Sequence, residues 1–252
     1  MTDATTLGSF VPLAAGVWRA VAEPEAVTVG LVAGSSGALV IDTGSTPDQG
    51  AAIRRAAEEV AGVPVVAVAI THAHDDHIGG LTAFDDVPSY GHAGVPAVSV
   101  PFALARTVDL GGRRVELVYF GPAHTAGDIV AIVPDADVVF AGDLIETSGP
   151  PSFEPDSSLD GWPQALDGIL GLLREHTIVV PGHGEPVDRV EAFEQRAHIA
   201  ALVPTARWLA SRGLAQADAL TATEWPFPAD VIEPLLPRLW ATAGDTSRRP
   251  AG

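Results

Sequence analysis

The sequence predicts an α/β fold in which mixed β-sheets are covered by helices. Short β-branched or apolar runs, each ending in glycine, proline or aspartate, have the length of strands. These runs are 26–34, 37–44, 63–71, 113–120, 128–134, 137–143 and 176–184. Several are joined by connections too short for the crossover helix that a parallel pair needs, and the last third of the chain has helical patterns. These observations favour mixed sheets with covering helices over an all-parallel open sheet.

The first helix and the clearest hairpin follow from local signals. Residues 46–62 are expected to form a helix with Thr46 as its N-cap, Pro47 at its first position and an end near Gly62. Residues 130–139 are expected to form a hairpin whose turn has the sequence PDAD. Such a hairpin adds an antiparallel pair to the sheet.

Helical patterns dominate the second half of the chain. The apolar spacing of residues 162–176 predicts a helix that starts at Ser158 or Asp160. A helical C-terminal region follows at about 187–243. It is expected to contain one or two helices interrupted at Pro204 and then a shorter helix.

The length of 252 residues lies within the range of a single large α/β domain. We expect one domain over residues 1–252, with the helical region packed on it and a frayed end over residues 244–252. Composition does not decide whether that region packs on the sheets or forms a partner surface, so a monomer and a homodimer both stay open.

Composition narrows the classes of function. Hydrophobic residues make up 47 % of the chain and charged residues 18 %, which allows a sizeable core and argues against disorder. Cysteine is absent, so any metal must be held by nitrogen and oxygen atoms. The formal net charge is −18, and no run is rich in lysine or arginine. Both facts argue against nucleic-acid and polyphosphate substrates.

The sequence also gives an expectation of location. No apolar run approaches the ~20 residues that a membrane-spanning helix needs. No positive charge precedes Arg19, although a secretory signal begins with basic residues. We therefore expect a cytoplasmic protein that is not bound to a membrane.

The strongest chemical signal is the sequence HAHDDH, which follows the apolar run 63–70. His72 and His74 are two residues apart, so an extended backbone points both side chains the same way, as two ligands of one ion require. Asp76 and His77 follow where the chain turns and cannot share that direction, which favours a second ion nearby. A polar loop with hydrogen-bonded histidines would explain a lone histidine, but it does not explain this cluster.

Three later strand ends supply further residues of the ligand type. His124, Asp143 and His183 each lie close to a glycine at or just after a predicted strand. Taken one at a time, they could be a loop histidine, a capping aspartate and a turn residue. Together with the HAHDDH cluster they make five histidines and two aspartates, enough for two ions that share a carboxylate.

With these motifs the sequence resembles the metallo-β-lactamase fold superfamily of metal-dependent hydrolases, over about residues 10–190. The motifs occur in the family's order: IDTG (41–44), HAHDDH (72–77), GPAHTAGD (121–128), AGD (141–143) and PGHG (181–184). The resemblance implies a four-layer αββα sandwich of two mixed β-sheets flanked by helices. It also implies that the site lies at one edge between the two sheets.

The resemblance further implies the ligands. His72, His74 and His124 would bind a first metal ion. Asp76, His77 and His183 would bind a second, and Asp143 would bridge both. Asp42 would support the ligands from behind, while Asp128 would either orient an imidazole or cap its own loop.

The implied activity is hydrolysis. Two zinc ions per chain, with manganese or iron as alternatives, would hold a bridging hydroxide that attacks a carbonyl carbon. Asp76 would act as the catalytic residue that moves the proton towards the leaving group. The bridging position of Asp143 resembles the thioesterase and lactonase branches rather than the antibiotic-hydrolysing lactamases. We therefore expect a small-molecule acyl substrate, namely an ester, a lactone, a thioester or a related compound.

Alternatives remain at this point. An iron-dependent sulfur dioxygenase on the same fold and a β-lactamase-like amide hydrolase are enzymes of other classes. A binding or structural member of the family is disfavoured because all the ligand residues are intact. His92 and the loop 148–162 are candidates for the wall of the substrate pocket, and a surface histidine and an ordinary connector are the alternatives for them.

Overall fold

A computed structural model describes residues 5–244 of the chain. Within these residues the strands are β1 (Thr6–Leu7), β2 (Val11–Ala14), β3 (Val17–Glu23), β4 (Val27–Ala33), β5 (Ala38–Ile41), β6 (Val65–Ala69), β7 (Ser89–His92), β8 (Val100–Phe102), β9 (Ala105–Asp109), β10 (Arg114–Tyr119), β11 (Ile129–Val133), β12 (Val138–Glu146) and β13 (Ile178–His183). The helices are α1 (Pro47–Ala61), α2 (Asp75–Ile78), α3 (Trp162–Leu170), α4 (Arg189–Ser211), α5 (Ala219–Ala222) and α6 (Ala229–Gly244). Short 3-10 helices cover Leu81–Phe84 and Gln216–Asp218.

The ends of the predicted domain, residues 1–4 and 245–252, lie outside the described residues. The prediction of a frayed C-terminal end therefore falls outside them as well. Within residues 5–244, no helix is both long and apolar enough to cross a membrane.

The strands form two sheets that face each other. The first has the order β8-β7-β6-β5-β4-β3, with β1 and β2 on the far side of β3, and the second has the order β13-β12-β11-β10-β9. Both sheets contain parallel and antiparallel pairs. The pair His183–Val27, between β13 and β4, continues the hydrogen bonding from one sheet into the other. The two predicted mixed sheets are thus halves of one folded sheet.

Side chains along β5 point alternately to the two faces of the first sheet, and their contacts show what covers each face. Leu39 and Ile41 belong to the core between the two sheets, together with Phe140 of the second sheet. Ala38 and Val40, at the intervening positions, pack in a different core that includes residues of α1. One face of the first sheet is therefore covered by the second sheet and the other face by a helix.

The second sheet repeats this pattern in β12. Val139 and Ala141 lie on either side of Phe140 and pack against Trp162 and Leu166 of α3. The layers are therefore helix, sheet, sheet and helix, which confirms the αββα fold. Helices α4 and α6 form a further core of their own, and α4 also packs on α3.

Helix α1 follows its predicted signals. The Thr46 hydroxyl accepts a hydrogen bond from the Gln49 amide at 3.2 Å, and Pro47 begins the helix. Gly62 ends it in the left-handed conformation, with φ 68°, and its N–H donates to the Glu58 carbonyl. The β11–β12 hairpin is also present, with the sequence PDAD between its two antiparallel strands.

Helix α3 is shorter than predicted. It ends at Leu170 rather than near residue 176, and its N-cap is Gly161, which has no side chain to cap it. Ser158, one of the two predicted starts, caps the turn that leads into the helix, because its hydroxyl accepts the Gly161 amide at 3.1 Å and its carbonyl accepts the Trp162 amide at 2.8 Å. Glycines at 168 and 171 lower the helix propensity at the C-terminal end, where the chain must also turn back towards β13.

The predicted interruption at Pro204 was wrong as well. Helix α4 runs through this proline from Arg189 to Ser211 without a break. A proline inside a helix costs ~3 kcal/mol, because it removes one N–H and crowds the preceding turn. Leu202 and Val203 beside it are buried in the core that α4 shares with α6. This packing offsets the cost of the proline.

Gly30 in β4 offers a test of the sheet-to-sheet packing. A Cβ atom at Gly30 would lie 2.7 Å from the Phe140 ring of the opposite sheet. We expect Gly30→Ala to lower the free energy of unfolding by about 1–3 kcal/mol, because the ring or the strand must shift. Gly149→Ala, where the Cβ would meet nothing within 4 Å, should stay within about 0.5 kcal/mol of the parent. Equal urea midpoints for the two variants would contradict the packing.

Candidate metal centre

The first group of ligand-type residues lies where β6 and β10 end and where β12 passes. Nε2 of His72 and Nε2 of His124 each lie 3.0 Å from Nδ1 of His74. Oδ2 of Asp143 lies 3.7 Å from Nε2 of His72 and 3.5 Å from Nε2 of His124. Three imidazoles and one carboxylate therefore surround one point.

The second group lies beside the first. Oδ2 of Asp76 lies 3.5 Å from Nε2 of His77 and 3.2 Å from Nε2 of His183. Asp143 also contacts this group, because its Oδ1 is 3.2 Å from Nε2 of His77 and its Oδ2 is 3.6 Å from Nε2 of His183. The structure thus brings together all the residues predicted as ligands, in the two sets that the resemblance implied.

The donor atoms fit metal ions better than they fit one another. Within each group, one possible ligand atom per residue lies within 4.8 Å of the others. The 3.0 Å spacing of the nitrogens is close to the ~3.3 Å edge of a tetrahedron with metal–nitrogen bonds of about 2.0–2.1 Å. Nδ1 of His74 would otherwise have to pair with two imidazoles at once, although one ring nitrogen has a single role.

Two buried atoms of the site support the same conclusion. Among the described residues, Nε2 of His77 and Oδ1 of Asp143 are buried and have no hydrogen-bond partner, although they lie 3.2 Å apart. A buried polar atom without a partner costs about 1–3 kcal/mol. A cation between the two atoms would satisfy both, so the cluster fits a metal site.

Asp42 and Thr71 orient two of the imidazoles. Oδ2 of Asp42 lies 2.8 Å from Nδ1 of His77, and the same carboxylate accepts hydrogen bonds from the amide and the hydroxyl of Thr71, both at 2.8 Å. The Thr71 hydroxyl oxygen lies 3.0 Å from Nδ1 of His72. Since this hydroxyl donates to Asp42, it accepts from His72, which leaves Nε2 of His72 free to bind a metal. The sequence analysis missed Thr71.

Backbone carbonyls orient two more imidazoles. Nδ1 of His124 lies 3.1 Å from the Ser152 carbonyl oxygen, and Nδ1 of His183 lies 3.0 Å from the Glu25 carbonyl oxygen. Each Nδ1 therefore donates its proton, and each Nε2 faces the site with a free lone pair. No signal in the sequence could reveal these partners, because every residue type carries the carbonyl.

Asp128 contacts its own loop. Its carboxylate accepts hydrogen bonds from the amide of Thr125 at 2.7 Å and from the hydroxyl of Thr125 at 2.8 Å. Burial raises the pKa of Asp128 to about 6, although these hydrogen bonds oppose the shift. Of the two roles considered for Asp128, the structure shows the loop cap.

Burial and neighbouring charges shift the pKa values of the buried residues of the cluster. Burial lowers the pKa of His72 well below its usual value, and the neighbouring His77 lowers it further. The pKa of His77 is raised well above its usual value, because the carboxylates of Asp143 and Asp42 outweigh its burial. For Asp143, the surrounding histidines outweigh burial and lower the pKa. Asp143 therefore stays ionised, as a ligand must.

The two candidates for the pocket wall lie next to the loop that carries His124 or to His124 itself. His92 stacks on Tyr119 with ring centroids 3.9 Å apart, and a Cβ atom at Gly127 would lie 3.3 Å from Nδ1 of His92. His92 is thus next to the loop that carries His124. In the loop 148–162, the buried Trp162 ring packs at 5.4 Å from the His124 ring.

Comparison with known proteins shows the family of the chain. The model of the family described as the Metallo-beta-lactamase superfamily matches residues 22–103 and 87–183, which together exceed half of the chain. The chain therefore belongs to the metallo-β-lactamase superfamily.

Individual relatives match parts of the chain. A metallo-beta-lactamase type 2 from Bacillus sp. (strain 170) is 29 % identical over 138 residues, which cover 50 % of this chain and 54 % of the relative. A hydroxyacylglutathione hydrolase from Alkalilimnicola ehrlichii is 34 % identical over 158 residues, or 58 % of this chain and 56 % of the relative. The chain thus spans about half the length of these curated relatives.

A solved structure shows the same fold. The metallo-beta-lactamase from Pontibacter korlensis superposes with a TM-score of 0.67 at 23 % sequence identity. The match covers 77 % of this chain and 99 % of that structure.

Metal content tests the assignment of the second group. We expect His77→Ala to retain about half of the metal that the parent retains after dialysis, because the second group loses a ligand and the first keeps its three imidazoles. His176→Ala, at an exposed histidine outside both groups, is the matched control and should retain the parent content. Elemental analysis that finds full metal content in His77→Ala would show that the assignment is wrong.

Asp128 predicts a pH dependence of stability. Its pKa is raised from 3.8 to about 6 in the folded chain, so the native state holds this proton more tightly than the unfolded state. The associated stability is present below pH 4 and is lost as the pH rises through 6. Between pH 4 and pH 7, metal-free Asp128→Asn should therefore gain up to about 3 kcal/mol relative to the parent.

Urea denaturation at several pH values measures this effect. Asp109→Asn is a suitable control, because Asp109 also caps a turn but is exposed, and it accepts hydrogen bonds from the amides of Gly111 and Gly112. A stability difference between Asp128→Asn and the parent that does not change with pH would contradict the prediction.

Proposed function

We propose that the chain is a metal-dependent hydrolase that cleaves an ester, a lactone, a thioester or a related acyl bond of a small molecule. One observation carries the proposal: the buried carboxylate of Asp143 lies within 3.2–3.7 Å of imidazole nitrogens from both ligand groups. This arrangement suits two ions held close together, each with protein ligands of its own.

We assign two zinc ions per chain to the site, with manganese or iron as alternatives. The first ion is held by three imidazoles, the second by two imidazoles and a carboxylate, and Asp143 is shared. In that order the ligands are His72, His74 and His124, then His77, His183 and Asp76. When bound, such ions lower the pKa of water to about 7 and polarise a carbonyl oxygen.

Asp76 is the residue suited to move the proton. Its side chain is 22 % exposed, whereas those of Asp143 and His77 are 7 % and 0 % exposed, so water and substrate can reach it. Burial acts to raise its pKa, but the histidines His183 and His77 hold it below its usual value. Asp76 is therefore ionised near neutral pH, can accept a proton from water and can pass it to the leaving group.

The charges of the chain favour a substrate that is not strongly anionic. The sequence contains no lysine and has a formal net charge of −18. The hydroxyacylglutathione hydrolase relative supports a thioester among the candidate bonds. Arg196, a cation that follows the last histidine motif, is paired with Asp167 at 2.6 Å and is less suited to hold substrate carboxylates. We propose a cytoplasmic enzyme without nucleic-acid or membrane partners.

The rival enzyme classes are separable. An iron-dependent sulfur dioxygenase would need mainly the first group, yet the second group is assembled just as closely. The similarity to a metallo-beta-lactamase from Bacillus keeps amide hydrolysis as a further candidate. A panel of lactones, thioesters, aryl esters and β-lactams, assayed with zinc-, manganese- and iron-loaded protein, distinguishes them.

We expect turnover of at least one acyl substrate by the zinc-loaded chain. Asp76→Asn should lower kcat by roughly 10²–10⁴-fold, because an amide cannot accept the proton, while His176→Ala should leave kcat unchanged. Zinc content is measured on both variants to separate loss of metal from loss of proton transfer. One iron per chain, with oxygen consumption and no hydrolysis, would contradict the hydrolase assignment and support a dioxygenase.

A further inference from the structure

The segment 152–158 forms hydrogen bonds with His124 and with the residue before it. The Ser152 carbonyl lies 3.1 Å from Nδ1 of the imidazole, and the hydroxyl of Ser157 donates to the carbonyl of His124 itself at 2.7 Å. The amide of Ser158 donates to the carbonyl of Ala123, one residue earlier, also at 2.7 Å. Both the ring and the backbone of this ligand are therefore placed by one short segment.

Arg238 of α6 forms hydrogen bonds with the segment 152–158. Its guanidinium donates to the Glu154 carbonyl at 2.7 Å and to the Ser157 carbonyl at 2.5 Å. The same Glu154 carbonyl accepts the amide of Ser157 at 3.0 Å, which closes a turn between them. The guanidinium thus bridges both ends of the turn that donates to His124. A planar fork with several donors suits two carbonyls better than a single ammonium does.

Apolar packing supports the same connection. Phe153 lies between Trp162 and Phe227, with ring centroids 5.3 and 5.5 Å away. Leu159, just after the segment, is buried in the core formed by α4 and α6. The segment is therefore enclosed between the metal centre and the C-terminal helices.

We propose that Arg238 is a positioning residue for His124, through which the C-terminal helices set the metal affinity of the first ligand group. The inference rests on the proposed metal ligation by His124. When the guanidinium is lost, the turn at 154–157 loosens, and the imidazole loses its fixed orientation. Partners that orient a ligand typically change metal affinity by 10–100-fold. Since Arg238 acts one contact further away, we expect about a tenfold loss.

The test is chelator competition with zinc, on the full chain and in a His183→Ala background that weakens the second group. Arg238→Ala should raise the zinc Kd of the first group about tenfold and leave that of the second unchanged. Arg238→Lys should recover part of the affinity, since an ammonium can reach one of the two carbonyls. Arg196→Ala removes another arginine of the same helical layer, paired with Asp167, and should change neither Kd.

Ser157→Ala keeps the test decisive if Arg238→Ala does not fold. It removes the donor to the His124 carbonyl directly and should give the same selective loss at the first group. Where both variants fold, their effects should not add in the double variant, because they act on one chain of contacts. An unchanged Kd, or an equal loss at both groups, would overturn the role of Arg238. Absence of zinc binding by the parent chain would instead refute the proposed function.

Discussion

The site depends on the interaction of the buried Asp143 carboxylate with the imidazoles of both ligand groups. A lone carboxylate in the interior would be costly, but here imidazole nitrogens of both ligand groups lie within 3.2–3.7 Å of it. Asp143 lies in β12, which pairs with β11 over Val138–Phe140 and with β13 on its other side, where the register is irregular between Gly142 and Glu146. The first and second groups meet at this carboxylate of the second sheet.

The ligand residues could be predicted because strands deliver them. His72, Asp143 and His183 lie at or near the ends of buried apolar strands, and such strands are visible as runs of β-branched residues. The apolar strand runs and the helical patterns predicted mixed sheets covered by helices, while the four-layer order was implied by the resemblance to the family. The spacing of His72 and His74 indicated a shared direction, and their ring nitrogens lie 3.0 Å apart.

Other features depend on tertiary contacts that no local pattern encodes. The partners of His124 and His183 are carbonyls of Ser152 and Glu25, which any residue could provide. The unbroken course of α4 through Pro204 depends on packing against a helix that follows later in the chain. The Arg238 contacts likewise join parts of the chain more than 80 residues apart.

The pairing between the two sheets gives the ligand cluster a second role, which is structural. His183 pairs with Val27, and this pair joins the second sheet to the first. His183 also belongs to the same ligand group as His77, which comes shortly after β6 of the first sheet. Ions bound there would join segments far apart in sequence, and this chain has no cysteine with which to do so covalently. The cluster would then act as a reversible cross-link, and loss of metal would loosen the closure of the sandwich as well as its chemistry.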